Sequence, residues 1–219
     1  MKSTSKTARP AEPRLPKHLS PETPERLDDR GDYGAVAWSG ATLTDQHAAR
    51  VVLEQAQLRK VVLQGSRLPE ARLTDVRLEA CDLSGVDLTR AHLRRIEVLG
   101  CRLIGAALVD VLLDDGLLRD GRLEGALFTT ARLKTVRFER CQLSQASFAG
   151  ADLTGVVFDG CDLTGADLQG ARLVGADLRG SIIDGLRVTG PDLFGAIIDP
   201  GQAVQIVGLL GLQVKSRDG

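Results

Sequence analysis

The stretch ADLTGVVFDGCDLTGADLQGARLVGADLRG, residues 151–180, consists of six copies of one five-residue unit. In each copy the first residue is small or short, the third is large and apolar, and the fifth is glycine. The same register extends in both directions, so every fifth residue from Trp38 to Ile198 is large and apolar except Ala48. We call these 33 residues the central positions. The chain is therefore one long repeat for most of its length.

A period of five matches neither the 3.6-residue period of an α-helix nor the two-residue period of a β-strand. It suits a chain that turns a corner every five residues, with two residues of each side pointing inward and three outward. Glycine or a short polar residue eases such a corner. Of the 24 glycines, 16 lie two residues after a central position, where the corner would be.

Residue types that recur at a spacing of 20 show how many sides complete one coil. The four cysteines all occupy the small inward position, at Cys81, Cys101, Cys141 and Cys161. Phenylalanines pair at the same spacing, Phe128 with Phe148 and Phe138 with Phe158. Four units per coil predict an all-β, square solenoid. Its coils stack about 4.8 Å apart, so residues 38–198 predict a rod of about eight coils and about 38 Å.

The A-D-L-x-x unit resembles that of the pentapeptide-repeat proteins, over residues 36–200. The resemblance implies a right-handed quadrilateral β-helix of about eight 20-residue coils. We assign residues 33–198 to this β-helix. Residues 1–32 carry most of the prolines and almost no large apolar residue, which predicts a disordered tail. A partner-binding arm is the alternative for that tail, and Trp38 is expected to plug the first coil.

Residues 199–219 break the five-residue period and predict a short helix and strand. Asp199 suits an N-cap, Pro200 the first helical position and Gly211 the residue that ends a helix. A strand is expected at 212–214. Residues 199–219 contain more apolar side chains than are needed to cover one end of a rod. This surplus favours a symmetric dimer joined through this end. The expected dimerisation residues are Gln202, Ala203, Ile206, Val207, Leu209, Leu210, Leu212 and Val214.

This segment also resembles the C-terminal module of the Qnr- and MfpA-like group of quinolone-resistance pentapeptide proteins. The matching residues are Asp199, Gln202-Ala203, Leu210-Gly211 and Val214. In that group the module forms a head-to-head, two-fold dimer, so the resemblance implies a homodimer. The register has no insertion between 38 and 198, which is more similar to the loopless MfpA type than to the looped Qnr type.

No residue constellation predicts catalysis, a metal site or a cofactor. His18 lies in the predicted tail, and His47 and His92 fall on outward positions of different sides. The cysteines lack CxxC spacing, which argues against zinc. Stacked cysteines would be within disulfide reach, but small core filler is the better interpretation. No run approaches a membrane span and no secretory signal is present, so we expect a cytoplasmic protein that is not an enzyme.

The charge distribution bears on the partner. The net charge is +2 over residues 41–140 and −5 over residues 141–200. The candidate partner-binding residues are Asp152, Asp159, Asp162, Asp167, Asp177, Asp184 and Asp192. Duplex DNA carries one charge per about 1.7 Å, so the whole rod falls far short of the charge of DNA and only its last three coils approach it. Alternatively, these aspartates simply belong to the repeat and solvate outward positions.

The resemblance implies a non-enzymatic DNA mimic that binds DNA gyrase or topoisomerase IV. Such a protein would modulate the enzyme or protect it from quinolone-like or natural-product inhibitors, and it would not bind nucleic acid directly. The alternative is a rigid protein–protein interaction scaffold with a different partner. The balanced, arginine-rich residues 41–140 favour that alternative, because a surface of mixed sign suits protein recognition better than imitation of DNA.

Overall fold

The structure, a computed structural model, describes residues 9–213. Its strands are β1 (Asp32–Gly34), β2 (Ala37–Ser39), β3 (Val52–Arg59), β4 (Arg72–Glu79), β5 (His92–Leu99), β6 (Leu112–Arg119), β7 (Arg132–Glu139) and β8 (Val157–Asp159). A short 3-10 turn (Pro191–Leu193) and one α-helix, α1 (Pro200–Leu209), follow. Within residues 9–213 no helix is both long enough and apolar enough to cross a membrane.

The strands confirm the predicted coil of four five-residue units. Each strand pairs in parallel with the chain 20 residues later, for example Leu53 with Leu73 and Leu73 with Leu93. The column that begins at Asp32 continues in steps of 20 to Arg172, which gives eight rungs. The structure is therefore the parallel β-solenoid that the period of five predicts.

Left-handed backbone marks every corner but one. From Arg30 to Gly195 every fifth residue except Gly190 has a positive φ. A residue with a Cβ pays about 1–2 kcal/mol in this conformation, whereas glycine adopts it freely. This explains why glycine recurs two residues after a central position, and it means that corner residues such as Asp75 (φ 57°) and Arg95 (φ 51°) are strained unless contacts offset the strain.

The central positions form one continuous core. All of them are buried except Leu73, Val188, Leu193 and Ile198, which are half-buried. The two halves of this core differ in composition. Leucine fills most of the positions in the first half, whereas in the second half Phe128 stacks on Phe148 and Phe138 on Phe158, with ring centroids 4.9 and 5.1 Å apart.

Residues 9–31 lie against the solenoid, which differs from the disordered tail predicted for residues 1–32; residues 1–8 of that tail lie outside the described residues. We call residues 9–31 the N-terminal strap. Leu27 is buried over the first coil, and its N–H donates to Oε1 of Gln46 at 2.9 Å. Nε1 of Trp38 donates to the carbonyl oxygen of Glu22 at 2.9 Å. The physical reason is that the open end of the core and the buried indole N–H both need partners, and the strap supplies them.

Helix α1 closes the other end of the solenoid. As predicted, Asp199 is its N-cap: its side chain accepts the N–H of Gln202 at 3.0 Å, and Oε1 of Gln202 accepts the N–H of Asp199. Gly211 has a φ of 79° and ends the helix, with the Leu212 N–H donating to the Val207 carbonyl. The prediction of a strand at 212–214 is wrong for residues 212–213, which form no strand. Val214, its third residue, lies outside the described residues.

Candidate functional site

The seven candidate aspartates do not share one face. We number the four sides of a coil by residues 51–55, 56–60, 61–65 and 66–70, as sides 1 to 4, and by their equivalents at multiples of 20. The register places Asp152 and Asp192 on side 1, Asp159 and Asp177 on side 2, Asp162 and Asp184 on side 3, and Asp167 on side 4. The acidic charge of the last coils therefore surrounds the rod and forms no single strip.

Three of these aspartates are neutralised by arginine. Asp159 pairs with Arg137 at 3.1 Å, Asp167 with Arg187 at 3.2 Å, and Asp177 with Arg179 at 2.6 Å. The hydrogen bond from Arg179 is the main reason that the pKa of Asp177 lies below its ordinary value. These three carboxylates present little uncompensated charge to a partner.

Many of the aspartates also have a local structural role. The carboxylate of Asp152 accepts the N–H of Thr154 at 3.1 Å, and that of Asp162 accepts the N–H of Thr164 at 2.9 Å. Each of these hydrogen bonds joins an aspartate side chain to the backbone N–H two residues later, at the start of a corner. Aspartate commonly stabilises turns in this way. The aspartate of the A-D-L unit is thus explained in part by the fold itself.

Side 3 of the last two coils holds two acidic groups that form no ion pair within residues 9–213 and lie beside an exposed apolar side chain. Among the described residues, Asp162 and Asp184 have no arginine or lysine nitrogen within the 4.0 Å of an ion pair. Asp184 is exposed and accepts a hydrogen bond from Nε2 of Gln205 on α1 at 2.9 Å. Ile182 stacks on Asp162 in the register and is 52% exposed. We call Asp162, Ile182 and Asp184 the side-3 patch.

Exposed apolar surface is concentrated at the same end of the rod. Of nine exposed large apolar side chains among the described residues, seven lie between 174 and 212. We call these seven the apolar end: Val174, Ile182, Phe194, Val204, Leu209, Leu210 and Leu212. The opposite end of the core is covered by Leu27 and Trp38, which are 6% and 2% exposed. The two ends of the rod are therefore chemically different.

The expected dimerisation residues divide into two groups. Gln202 and Ile206 are buried against the last coil, and Nε2 of Gln202 donates to the carbonyls of Leu178 and Ser181 at 2.6 and 2.8 Å. These two residues close the solenoid. Ala203 and Val207 are half-buried, whereas Leu209, Leu210 and Leu212 are exposed.

Four exposed residues of the apolar end, Val174, Ile182, Phe194 and Val204, are absent from the residues expected to form the dimer, and the two most exposed of these are Phe194 and Val204. Phe194 is 78% exposed and Val204 is 57% exposed. Phe194 directly follows the central residue Leu193. In residues 151–180 the position that follows a central residue mostly carries a polar side chain. A large aromatic ring at that outward position was a signal that the sequence already contained.

In residues 41–140, by contrast, charges neutralise one another between coils. Each pair joins residues 20 apart: Arg50–Glu70–Arg90, Arg59–Glu79, Arg77–Glu97, Asp82–Arg102, Arg119–Glu139 and Asp120–Arg140. Side 1 also carries cations that form no ion pair among the described residues: Arg72, Arg94, Arg132, Lys134 and Arg172. This part of the rod has no extended acidic surface.

The histidines and cysteines form no site. His18, His47 and His92 are exposed and far apart in the repeat, and all four cysteines are buried free thiols. The pKa of Cys101 is raised by its hydrogen bond with Cys81 and by burial, which favours the neutral thiol. No cluster of three potential metal ligands exists in the part of the chain that the structure describes.

The family model described as pentapeptide repeats matches the chain in eight copies, over residues 39–75, 71–115 and 141–180. Among solved structures, HetL, a pentapeptide repeat protein involved in heterocyst differentiation regulation from the cyanobacterium Nostoc sp. strain PCC 7120, is 24% identical with a TM-score of 0.50. The match covers 79% of this chain and 91% of HetL.

A trypsin-treated variant of QnrB1, a plasmid-mediated fluoroquinolone resistance protein, is 21% identical with a TM-score of 0.58. That match covers 91% of this chain and 100% of the QnrB1 chain. Identities this low show a shared fold and nothing finer. Comparison with curated proteins finds no significant match.

Proposed function

The chain belongs to the pentapeptide-repeat family, and from this membership we propose that it is a non-enzymatic protein-interaction rod whose partner is a type II topoisomerase, DNA gyrase or topoisomerase IV. The observation that carries the proposal is the difference between the two ends of the rod. One end is sealed by the N-terminal strap, whereas the other presents the apolar end and the side-3 patch together.

The apolar end supports the dimer that the proposal includes. Large exposed apolar patches on soluble proteins mark interaction sites, and a two-fold contact lets one patch cover its own copy. A dimer formed in this way brings two copies of the side-3 patch toward the two-fold axis. The acidic groups would then lie where a two-fold-symmetric enzyme can receive them, flanked by two nearly neutral arms.

The proposed binding mode is narrower than imitation of DNA along the whole rod. Acidic groups surround the last coils, and three of the seven are paired with arginine. The contact is therefore assigned to the C-terminal two coils of each copy. There it would compete with duplex DNA on the topoisomerase and so inhibit the enzyme or shield it from a drug that acts on its DNA complex.

The dimer is tested by replacing two residues of the apolar end. Wild-type protein is expected to have twice the 23.4 kDa mass of one chain by light scattering. Leu210→Glu with Leu212→Glu is expected to give a monomer, because each buried carboxylate would lack a partner. Leu127→Glu is the control, since Leu127 is 41% exposed but lies on side 4, away from the apolar end. A monomeric wild type, or a double variant that stays dimeric, would contradict the proposal.

The partner is tested by DNA supercoiling with purified gyrase and by DNA decatenation with purified topoisomerase IV, each with and without a quinolone. Wild type is expected to inhibit these reactions or to relieve the effect of the drug at micromolar concentration. Asp162→Asn with Asp184→Asn should weaken this effect about tenfold, which corresponds to about 1.4 kcal/mol of binding free energy. The control is Asp45→Asn with Asp114→Asn, which makes the same change in charge at exposed positions far from the C-terminal end.

A second candidate is a scaffold for a partner other than a topoisomerase. The mutually paired charges of residues 41–140 and the unpaired cations of side 1 favour it. This candidate predicts that neither enzyme responds to the wild-type protein. It also predicts that a partner isolated with the wild type binds the Asp162→Asn, Asp184→Asn variant equally well and is lost with Arg132→Glu and Lys134→Glu.

A further inference from the structure

The first half of the solenoid core is not completely filled. Central residues point inward, so any surface they retain faces the axis of the rod. From Leu63 to Leu118 each central residue keeps 3% or more of its surface accessible, whereas from Leu143 to Ile183 each keeps 1% or less. The accessible surface is therefore internal and confined to the coils that precede the phenylalanines.

This surface belongs to one internal cavity of about 70 Å³ whose lining is entirely apolar. The cavity runs along the axis from Leu27 and Trp38 at the first coil to Phe128. Its cause is the composition of the core: in the second half phenylalanine rings on two opposite sides reach the axis, whereas the leucines that replace them in the first half are shorter. The stack of phenylalanines thus forms the floor of the cavity.

A cavity with this lining favours an apolar occupant over water. A buried water needs two to four polar partners, and apolar cavities of about 150 Å³ stay dry and bind benzene or xenon. The present cavity has about half that volume. Its lining extends from Trp38 to Phe128, four and a half coil steps or about 22 Å, so it is long and narrow and suits a slender molecule better than a flat ring.

We propose that the axial cavity is a binding site for a small, slender apolar molecule, such as a gas atom or a short unbranched hydrocarbon. Leu27 of the N-terminal strap lies at its mouth, so an occupant enters when the strap lifts from the first coil. The strap buries one apolar side chain and is otherwise held by hydrogen bonds, whose groups water can satisfy once the strap lifts. Segments with so few buried apolar contacts open at low free energy.

Xenon is the probe that tests this proposal, with leucine methyl resonances of the intact protein recorded by NMR under increasing xenon pressure. Saturable shifts are expected for leucines between 53 and 118 and not for those between 143 and 178. Leu108→Phe should reduce the xenon affinity at least about tenfold by filling the cavity, since Leu108 lines it and lies in the column that continues to Phe128 and Phe148. Leu118→Phe, in the column of Phe138 and Phe158, is the second filling variant in case the first does not fold.

A matched variant tests whether the phenylalanine rings are the reason that the cavity does not extend into the second half of the core. Phe148→Leu should create a second xenon site among leucines 143–178, because it makes that part of the core resemble the first half. No saturable shift in the wild type would overturn the proposal, as would shifts spread equally over both halves. Undiminished binding in the folded filling variants would overturn it as well.

Discussion

Replacing Asp75 with asparagine is expected to lower the free energy of unfolding by about 3–5 kcal/mol. The two carboxylate oxygens of Asp75 accept hydrogen bonds from Nε and Nη2 of Arg95 at 2.5 Å each. Both side chains are buried at a corner, 6% and 10% exposed, and the strap adds the N–H of Arg14 at 2.9 Å. Asparagine keeps the shape and tolerates left-handed backbone, but it removes the carboxylate that accepts both hydrogen bonds from Arg95. The buried guanidinium then keeps only the more distant charges of Asp115 and Glu54.

Urea unfolding of the two proteins measures this difference. Asp45→Asn is the matched control, because Asp45 is an exposed corner residue with a φ of 52° and has no ion pair among the described residues. Its effect should stay within about 0.5 kcal/mol. An effect of Asp75→Asn that is equally small would show that the buried pair adds nothing to the stability of the solenoid.

The same pair predicts a pH dependence. The hydrogen bond from Arg95 is the main reason that the pKa of Asp75 lies below its ordinary value. A carboxyl group whose pKa is lowered by folding stabilises the folded state above its unfolded pKa of about 3.9, and this contribution is lost as the pH falls through the lower, folded value. The stability difference between wild type and Asp75→Asn should therefore be constant near neutral pH and shrink below about pH 4.

The fold was predictable because the sequence repeats, whereas the docking of the N-terminal strap was not predictable because the strap has no repeat. A period of five and a recurrence at 20 determine the central positions, the corners and the parallel register, because every coil must satisfy the same geometry. The N-terminal strap has no period. Its one buried apolar residue, Leu27, is a single leucine among charged and proline-rich neighbours, and its docking depends on the open core that it covers. Nothing local in residues 9–31 indicates that contact.

The residues of the candidate site could be predicted from the sequence, but their positions and ion pairs could be predicted only in part. Helix α1 and its Asp199 cap follow from local signals, so they were correctly predicted. The distribution of the aspartates over four sides also follows from residue numbers, since residues 20 apart share a side, and it shows that Asp162 and Asp184 belong together. Their lack of ion pairs could not be read from the sequence, because Asp159 and Asp167 carry the same charge but lie within reach of Arg137 and Arg187.

Replacing Phe148 with alanine is expected to lower the free energy of unfolding by about 3–5 kcal/mol, the usual range for phenylalanine in a packed core. The ring is completely buried, stacks on Phe128 at 4.9 Å, and meets Phe138 and Phe158 edge-on at 6.1 and 5.6 Å. Each aromatic pair adds about 0.5–1.5 kcal/mol beyond the buried area. Leu127→Ala, at an exposed position of the adjacent coil, is the control and should cost less than about 1 kcal/mol.

The distribution of this loss distinguishes a solenoid from a globular core. Each coil contacts only the coils above and below it, so its stability is a sum of local and nearest-neighbour contributions. Hydrogen exchange in Phe148→Ala should accelerate most in residues 128–168, one coil to each side of the substitution. The coils around Leu63 lie outside the phenylalanine stack and should keep their protection. Uniform acceleration along the rod would mean that the coils unfold as one cooperative unit, and the local contacts of the phenylalanine stack would then not be what holds the second half together.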